Sequence, residues 1–279
     1  MQVVRADHAG ACYGVQRALD MALAAASSEA QACTLGPLIH NPQVVAMLAE
    51  AGVGEAAAVD EVDPGSVLVI RSHGVTPAVR RAAEARAGRL VDATCPHVAR
   101  AQKSAAELAA RDRTVVVVGE AGHPEVEGLV ARALEAGAHV VVAADADELP
   151  EHVEAPVGIV VQTTQKREAL DAVVESLRGR GIEPEVKNTI CFATRQRQEA
   201  AARLAGTVDA LVVIGGRNSS NTTRLADICK AVCPRTYHVE SPGEIDPVWF
   251  EGCLTVGVTA GASTPEDQIE AVIALLESL

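Results

Sequence analysis

The sequence predicts an α/β protein with three similar open parallel-sheet lobes around a pseudo-threefold axis and a central cavity. Three observations support this fold class. Apolar residues make up 48% of the chain but aromatic residues only 2%, so the core must be aliphatic, as in parallel α/β proteins. Apolar strands alternate with helical patterns, which is typical of parallel sheets with right-handed crossovers. A cysteine-based pattern occurs three times, and such a repeat determines the organisation of the whole chain.

The repeat begins at a cysteine that ends an apolar strand and opens a helix. The three cysteines are Cys12, Cys95 and Cys191. The residues 28 positions further on are His40, His123 and Ser219, and each follows a strand-closing glycine by four positions. Three equal spacings with the same flanking pattern indicate an internal repeat rather than coincidence.

A further strand-to-helix turn completes each repeat. Its apolar strand ends in a small polar segment that contains, in chain order, His73, the pair Thr163 and Thr164, or Ser263. The helical patterns that follow these turns cover 76–87, 167–177 and 265–276. Each repeat therefore carries a Cys, then a His or Ser, and then a His, Thr or Ser at three such turns.

The repeats predict three lobes, which comprise 13–95, 96–190, and 191–279 together with 1–12. The N-terminal strand is expected to belong to the last lobe, because it precedes Cys12 while the third repeat ends the chain. Ligands of open α/β sheets bind at the carboxyl ends of the strands. Three lobes facing one axis would therefore bring all nine turns to a single cavity.

Charge and composition restrict the partners of the chain. The net charge of −13 argues against nucleic acid or an anionic membrane as the main partner. The sequence has no run of about 18 apolar residues that could span a membrane, and its N-terminus lacks the build of a signal peptide. We therefore expect a cytoplasmic protein, in which seven cysteines are more often metal ligands, catalytic groups or buried apolar residues than disulfides.

The repeat cysteines are candidate ligands of an iron–sulfur cluster. A helix start favours thiolate over thiol, and three thiolates from three lobes suit a cluster with one iron that has no protein ligand. The spacing lacks the close cysteine pairs of ferredoxins or structural zinc sites, so repeat position alone is equally consistent with three buried small residues. The other cysteines lie off the repeat and are interpreted as packing residues: Cys33, Cys229, Cys233 and Cys253.

Imidazoles, hydroxyls and an amide at the remaining turns predict a site for phosphate or diphosphate. These candidates are His40, His73, His123, Thr163, Thr164, Ser219, Ser220, Asn221 and Ser263. With the N–H groups of helix N-termini they can surround an anion with donors. Ser, Thr and Asn also cap helices, but capping does not require three histidines. The chain has neither a P-loop nor a dinucleotide-binding glycine motif, so neither a nucleoside triphosphate nor a dinucleotide is indicated.

Glu125 is a candidate proton donor. It stands two residues after His123 at a predicted helix start, where it could transfer a proton to a bound substrate. A glutamate in the first turn also complements the helix dipole, and that second role is assigned to Glu127. The residues by themselves leave both roles open for Glu125.

Eight segments occur in a fixed order along the chain. They are Gly10-Ala11-Cys12-Tyr13-Gly14-Val15, Gly36-Pro37-Leu38-Ile39-His40-Asn41-Pro42, Ser72-His73-Gly74-Val75, Asp92-Ala93-Thr94-Cys95-Pro96, Gly122-His123-Pro124-Glu125-Val126-Glu127-Gly128, Gln162-Thr163-Thr164, Asn218-Ser219-Ser220-Asn221 and Ala260-Gly261-Ala262-Ser263. In this order they resemble the 4-hydroxy-3-methylbut-2-enyl diphosphate reductase family, which completes the methylerythritol phosphate route to isoprenoids. The resemblance covers nearly the whole chain and implies three α/β lobes around a central 4Fe-4S cluster. It also implies reductive removal of the allylic hydroxyl of the substrate, which gives isopentenyl and dimethylallyl diphosphates.

The resemblance implies a role for each candidate residue. The cluster ligands would be Cys12, Cys95 and Cys191, and the proton donor would be Glu125. The substrate, chiefly its diphosphate, would be held by His40, His73, His123, Thr163, Ser219, Ser220, Asn221 and Ser263, with Thr164 as a further contributor. Ferredoxin or flavodoxin would donate the electrons. Three residues near the cysteines depart from the family pattern: Tyr13, Gln16 and Gln196. These departures concern the tuning of the cluster or the docking of a partner rather than the reaction.

Two alternatives remain open from the residues. A quinolinate synthase-like enzyme also joins three lobes and three cysteines around one cluster, although the segments 123–127 and 218–221 count against it. A non-catalytic redox or metal-binding scaffold would keep the cysteines without binding an allylic diphosphate.

Overall fold

The computed structural model of the chain describes residues 1–27 and 31–279. In these ranges the chain forms three four-stranded sheets with parallel neighbours, so the predicted α/β class with three parallel sheets is confirmed.

The strands are β1 (Gln2–Arg5), β2 (Ala32–Leu35), β3 (Val53–Ala56), β4 (Val67–Ile70), β5 (Arg89–Asp92), β6 (Thr114–Val118), β7 (Val140–Ala143), β8 (Val157–Val161), β9 (Glu185–Lys187), β10 (Ala210–Ile214), β11 (Thr236–Val239) and β12 (Thr255–Ala260). The helices are α1 (Tyr13–Ala26), α2 (Pro42–Glu50), α3 (Pro77–Arg86), α4 (Pro96–Ala109), α5 (Pro124–Glu135), α6 (Arg167–Gly179), α7 (Phe192–Ala205), α8 (Ser220–Val232) and α9 (Glu266–Ser278). Short 3₁₀ helices cover Val59–Glu61, Ala146–Glu148, Pro242–Glu244 and Pro247–Phe250.

The three sheets share one strand order. These orders are β3-β2-β4-β5, β7-β6-β8-β9 and β11-β10-β12-β1. In the third sheet the N-terminal strand takes the last place, where Gln2 pairs with Thr255 and Arg5 with Val258. The repeat in the sequence is therefore also a structural repeat, and its third copy is completed by the start of the chain.

The sequence repeat does not include one strand of each sheet. These strands, β3, β7 and β11, have four residues each and lie at one edge of their sheets. β3 is exposed at Gly54 and Glu55, so it shows neither a continuous apolar run nor a clear alternation. β7 does have an apolar run, but it lies outside the three turns that define the repeat.

The chain packs as two compact units. One comprises 1–16, 39–46 and 192–279 and contains the sheet β11-β10-β12-β1. The other comprises 17–38 and 47–191 and contains the two remaining sheets. The three-lobe boundaries and the central cavity stay predictions.

The central strands carry apolar side chains to both faces of their sheets. In β10, Val212 and Ile214 belong to one apolar core, and Leu211 and Val213 belong to another. This alternation follows from the two-residue period of a strand, and it makes a strand that is buried on both faces apolar throughout. No helix in either described range is both long and apolar enough to cross a bilayer.

Glycines in two central strands let the helices that follow cysteines approach the sheet. A Cβ atom on Gly158 of β8 would lie 2.8 Å from Cδ2 of Leu108 in α4. A Cβ atom on Gly257 of β12 would lie 3.1 Å from Cδ2 of Leu204 in α7. Both leucines are 13 positions after their cysteines, so the same strand–helix contact occurs in two repeats.

The first repeat reverses the sizes of these two side chains. Its helix carries Ala25 at the leucine position, and its strand carries Val67 at the glycine position. Both residues are buried, at 4% and 2% exposure. Bulk is therefore exchanged between helix and strand while the total apolar volume is roughly kept, a change that protein cores tolerate well.

Gly158→Val is expected to destabilise the protein by about 1–3 kcal/mol, because the new side chain meets Leu108 in a packed core. Adding Leu108→Ala should recover part of this loss, because the double variant imitates the first repeat. Urea unfolding of both single variants and the double variant measures this coupling. Gly179→Ala is the matched control, since no atom lies within 4 Å of its added Cβ. Strictly additive effects would show that the two positions do not compensate.

Candidate functional site

Each repeat cysteine stands directly before a helix and is held by the same backbone bond. The N–H group of Cys12 donates to the Ala262 carbonyl at 3.1 Å. The corresponding distance is 2.9 Å both from Cys95 to the Ser72 carbonyl and from Cys191 to the Thr163 carbonyl. All three cysteines are half-buried, and none of them forms a disulfide within the described residues. A half-buried thiol at a helix start suits thiolate chemistry and metal ligation.

The other cysteines have the properties of packing residues. Cys229 and Cys233 belong to an apolar core, and burial raises the pKa of Cys229 to about 12. Burial also raises the pKa of Cys33 and of Cys253. Because a thiol with a raised pKa stays protonated at neutral pH, Cys33, Cys229 and Cys253 are poor nucleophiles and poor metal ligands.

Asp92 shapes the turn that leads to Cys95. Its Oδ1 atom accepts from the Thr94 N–H group at 3.0 Å, and its Oδ2 atom accepts from Nη1 of Arg80 at 2.5 Å. Burial on its own raises the pKa of Asp92, but the hydrogen bonds from Thr94 and Arg80 outweigh it and place the pKa below its ordinary value. Pro96 then opens α4, at a position where a missing N–H group costs nothing.

Glu125 is buried and bound by one threonine. It is 1% exposed. Its Oε1 atom accepts from the Thr163 N–H group at 2.6 Å, and its Oε2 atom lies 2.9 Å from the Thr163 hydroxyl oxygen. The carbonyl of the same threonine holds Cys191. Thr163 therefore connects the candidate proton donor with a candidate metal ligand.

One histidine contacts Glu125, and a second histidine packs against the first in the same unit. The Nδ1 atom of His123 accepts from the Glu125 N–H group at 3.1 Å, so His123 caps α5 and a neutral ring carries its proton on Nε2. The rings of His73 and His123 meet edge to face, with centroids 5.5 Å apart. These contacts bring four predicted site residues together: His73, His123, Glu125 and Thr163. The half-buried Thr164 follows them at the same turn.

The start of α8 presents three polar residues of the other unit. Ser219, Ser220 and Asn221 are 6–8% exposed. Ser219 caps the helix through a 3.4 Å bond from the Thr222 N–H group to its Oγ atom. Within the described residues, the buried Nδ2 atom of Asn221 has no hydrogen-bond partner. A buried amide donor at a helix start suits an anionic ligand.

His40 and Ser263 lie together in this unit, and Asn41 joins their turns. The Ser263 hydroxyl donates to the His40 carbonyl at 3.3 Å. The Asn41 amide, 1% exposed, donates to the Ser263 carbonyl at 2.9 Å. Its Oδ1 atom accepts from the N–H groups of Gln43 and Val44, which begin α2. Asn41 is a positioning residue that the repeat pattern does not single out. The signal in the sequence is its position directly after His40 and before the proline that begins α2.

Arg197 is a second positioning residue outside the predicted set. It is buried at 6% exposure. Its Nε and Nη2 atoms donate to the Gly10 carbonyl at 3.1 and 2.6 Å, and its Nη1 atom donates to the Ala193 carbonyl at 2.9 Å. The loop before Cys12 is thereby fixed against the first turn of α7. Gly10 itself has a φ of +102°, which requires glycine at this bend.

The fold and site define a class of protein. It is an α/β protein of three repeated sheets, with a half-buried cysteine at one helix start of each repeat and polar side chains at the neighbouring turns. The chain belongs to the LytB protein family, whose model matches residues 3–277. This confirms the family that the eight sequence segments predicted, and the quinolinate synthase-like and scaffold alternatives are not favoured.

Relatives of known name cover nearly the whole chain. The 4-hydroxy-3-methylbut-2-enyl diphosphate reductase of Geobacter sp. (strain M21) is 50% identical over 275 residues, and that of Geobacter sulfurreducens is 49% identical over 274 residues. Each alignment covers 98% of this chain and 96% of the relative. A solved (E)-4-hydroxy-3-methyl-but-2-enyl diphosphate reductase, the terminal enzyme of the non-mevalonate pathway, is 40% identical over the full length of both chains, with a TM-score of 0.73. The reductase structure from Plasmodium falciparum is 23% identical, with a TM-score of 0.90 over 99% of this chain and 87% of that chain, and supports the fold.

Asp92→Asn is expected to lower the free energy of unfolding most at neutral pH. Because the pKa of Asp92 is depressed in the folded chain, its carboxylate contributes stability above the unfolded pKa, and this contribution is lost as the pH falls through the folded pKa. Urea unfolding of both proteins from neutral pH to below pH 3.8, the ordinary aspartate value, measures the difference. The difference should shrink with falling pH, whereas the exposed control Asp147→Asn should change little. A constant difference would contradict the assignment.

Proposed function

We propose that this protein reductively removes the allylic hydroxyl of (E)-4-hydroxy-3-methylbut-2-enyl diphosphate and releases isopentenyl and dimethylallyl diphosphates. The observation that carries the proposal is the buried carboxyl of Glu125, held by the amide and hydroxyl of Thr163, in a chain of the LytB family. The names of the relatives described above give the same activity, reduction of this diphosphate. Its location is proposed to be the cytoplasm, in keeping with seven cysteines that form no disulfide within the described residues.

A 4Fe-4S cluster held by Cys12, Cys95 and Cys191 is part of the proposal. The donor set fits, because cysteine thiolates are the usual ligands of such clusters, and each of the three cysteines stands half-buried at a helix start. Three protein ligands would leave one iron of such a cluster without a protein ligand. When bound, the cluster supplies single electrons and Lewis acidity toward the hydroxyl group. Ferredoxin or flavodoxin is the proposed source of those electrons.

The substrate diphosphate is assigned to the donors at the neighbouring turns. They are His40, His73, His123, Thr163, Thr164, Ser219, Ser220, Asn221 and Ser263. Hydroxyl and amide donors at the start of α8 add to the positive end of the helix dipole, which favours a diphosphate over a neutral group. Binding the non-reacting end of the substrate orients the reacting end, so affinity is converted into rate.

Glu125 is assigned the proton transfer. The reaction takes up two electrons and two protons: one proton leaves with the hydroxyl as water, and the other adds to either end of the allyl group. An ionised Glu125 accepts a hydrogen bond from the Thr163 hydroxyl, while a protonated Glu125 can donate to the same oxygen. Thr163 can then turn its own proton toward the substrate, so a buried carboxyl delivers a proton without contact with bulk water.

Cys95→Ser is expected to lose or degrade the cluster. The alkoxide of serine is a far poorer ligand for iron than a thiolate, so iron and acid-labile sulfide per chain should fall after anaerobic reconstitution. Cys253→Ser is the matched control, because this buried cysteine lies off the repeat and should leave both values unchanged. Equal iron and sulfide in wild type and Cys95→Ser would remove Cys95 from the ligand set.

Glu125→Gln is expected to keep the cluster and substrate binding but to lower turnover by about 10²–10⁴-fold, the usual contribution of a general acid. The assay supplies the substrate and reduced methyl viologen to the reconstituted protein and measures both product diphosphates. Glu127→Gln, an exposed change on the same helix, should retain wild-type turnover. Near-normal turnover of Glu125→Gln would exclude its role, and an inactive wild type with an intact cluster would refute the proposed function.

A further inference from the structure

Two of the five aromatic residues of the chain lie on the surface directly after repeat cysteines. Tyr13 follows Cys12 and is 74% exposed, and Phe192 follows Cys191 and is 58% exposed. The other three pack against one another: Tyr237, Trp249 and Phe250. An exposed ring leaves apolar surface in water, and aromatic residues are enriched at the centres of protein interfaces. The position of both exposed rings beside cysteines therefore suggests a partner.

Both rings belong to the unit that contains α7, and its side chains connect the segments that carry them. Arg197 fixes the loop before Cys12 against the first turn of α7, as described above. Two residues of this region, Gln196 and His8, approach each other with 3.5 Å between their Nε2 atoms. The loop that leads to Tyr13 is thus packed along the turns that follow Phe192. We define the ring face as His8, Tyr13, Phe192, Arg195 and Gln196.

The ring face combines apolar rings with an exposed cation. The Arg195 guanidinium lies 5.1 Å from the centroid of the Phe192 ring, a cation–π contact. Neither α1 nor α7 has an acidic residue in its first turn, although helix starts favour acidic side chains and the chain has a net charge of −13. The acidic residues of the loop 6–12 and of α7 are the exposed Asp7 and Glu199, the latter 3.7 Å from Arg195. The five residues of the ring face include one cation and no acidic side chain, so this part of an acidic protein repels an acidic partner less than a surface with carboxylates of its own would, and its two rings suit a contact surface with an apolar centre.

We propose that the ring face is the docking surface of the acidic protein that delivers electrons to the cysteine-bound cluster, an inference that rests on the proposed function. The reaction consumes two electrons that no side chain of the site can supply, so a carrier must visit twice in each turnover. At each visit the carrier would be oxidised by one electron, which a cluster held by Cys12, Cys95 and Cys191 would accept, and no bond would form. Because electron transfer slows steeply with distance, the carrier must dock close to a ligand cysteine. Each of the two rings belongs to the residue that directly follows such a cysteine.

The affinity of such a complex is expected to be low and salt-dependent. Transient redox complexes bury less than about 1,200 Å², and a few aromatic and arginine side chains provide most of their binding energy. The contribution of Arg195 should weaken as salt screens it. The affinity for the carrier should therefore fall most when one of three side chains is removed: Tyr13, Phe192 or Arg195.

The test compares two electron sources for the same reconstituted holoenzyme. With a reduced plant-type ferredoxin, Phe192→Ala and Arg195→Glu should each lower kcat/KM for the ferredoxin by roughly tenfold, the effect of about 1.4 kcal/mol of lost binding. Tyr13→Ala should act in the same direction. With reduced methyl viologen, which needs no docking surface, turnover of all three should match the wild type. Rising salt should reduce the difference between Arg195→Glu and wild type.

Two exposed residues of the same unit provide matched controls. Leu254→Ala removes an apolar side chain that is 80% exposed, and Lys230→Glu reverses an exposed charge near the end of α8. Both should keep wild-type rates with ferredoxin. If the ring-face variants behave like these controls, or if they lose viologen-driven turnover as well, the docking assignment is wrong. An intact wild-type cluster without viologen-driven turnover would instead refute the proposed function itself.

Discussion

The hydrogen bond from each repeat cysteine to the turn beside it is the interaction on which the rest of the site depends. It joins two main-chain groups, so it does not depend on which side chain stands at the accepting position. Ser72, Thr163 and Ala262 all serve as acceptors. The residue after each acceptor is free to vary, and the repeat uses this freedom to place His73, Thr164 or Ser263 there. One backbone framework thus holds three identical thiols next to three different polar groups.

Thr163 shows how closely a proposed metal ligand and the proposed proton donor are joined in this framework. Its carbonyl holds Cys191, while its amide and hydroxyl hold Glu125. A movement of this one residue would therefore disturb a thiol and a carboxyl together. Asn41 has the corresponding position in the other unit, where one buried amide joins the turns of His40 and Ser263. Most of these hydrogen bonds involve a backbone group, which holds its geometry better than a contact between two long side chains does.

The sequence predicts the parallel sheets and the polar turns well, because both are local patterns repeated at a fixed spacing. It does not predict which buried polar groups meet. The partner of Asn41 is a carbonyl 222 positions away, and the partner of Arg197 is a carbonyl 187 positions away. Every residue offers a carbonyl, so nothing in the sequence marks these two. Short edge strands such as β3 are not predicted for a different reason. Four residues, of which two are buried and two exposed, show too little periodicity to mark a strand.

The pairing of β1 with β12 makes the third sheet depend on both ends of the chain. During synthesis β1 leaves the ribosome first and its partner nearly last, whereas β2 to β9 can pair as soon as they emerge. The carbonyl that holds Cys12 belongs to Ala262, so this turn forms only after almost the whole polypeptide has been made. The proposed metal centre, which needs all three thiols, would therefore assemble only after Ala262 has been made, so the topology would delay cofactor insertion until translation is nearly complete.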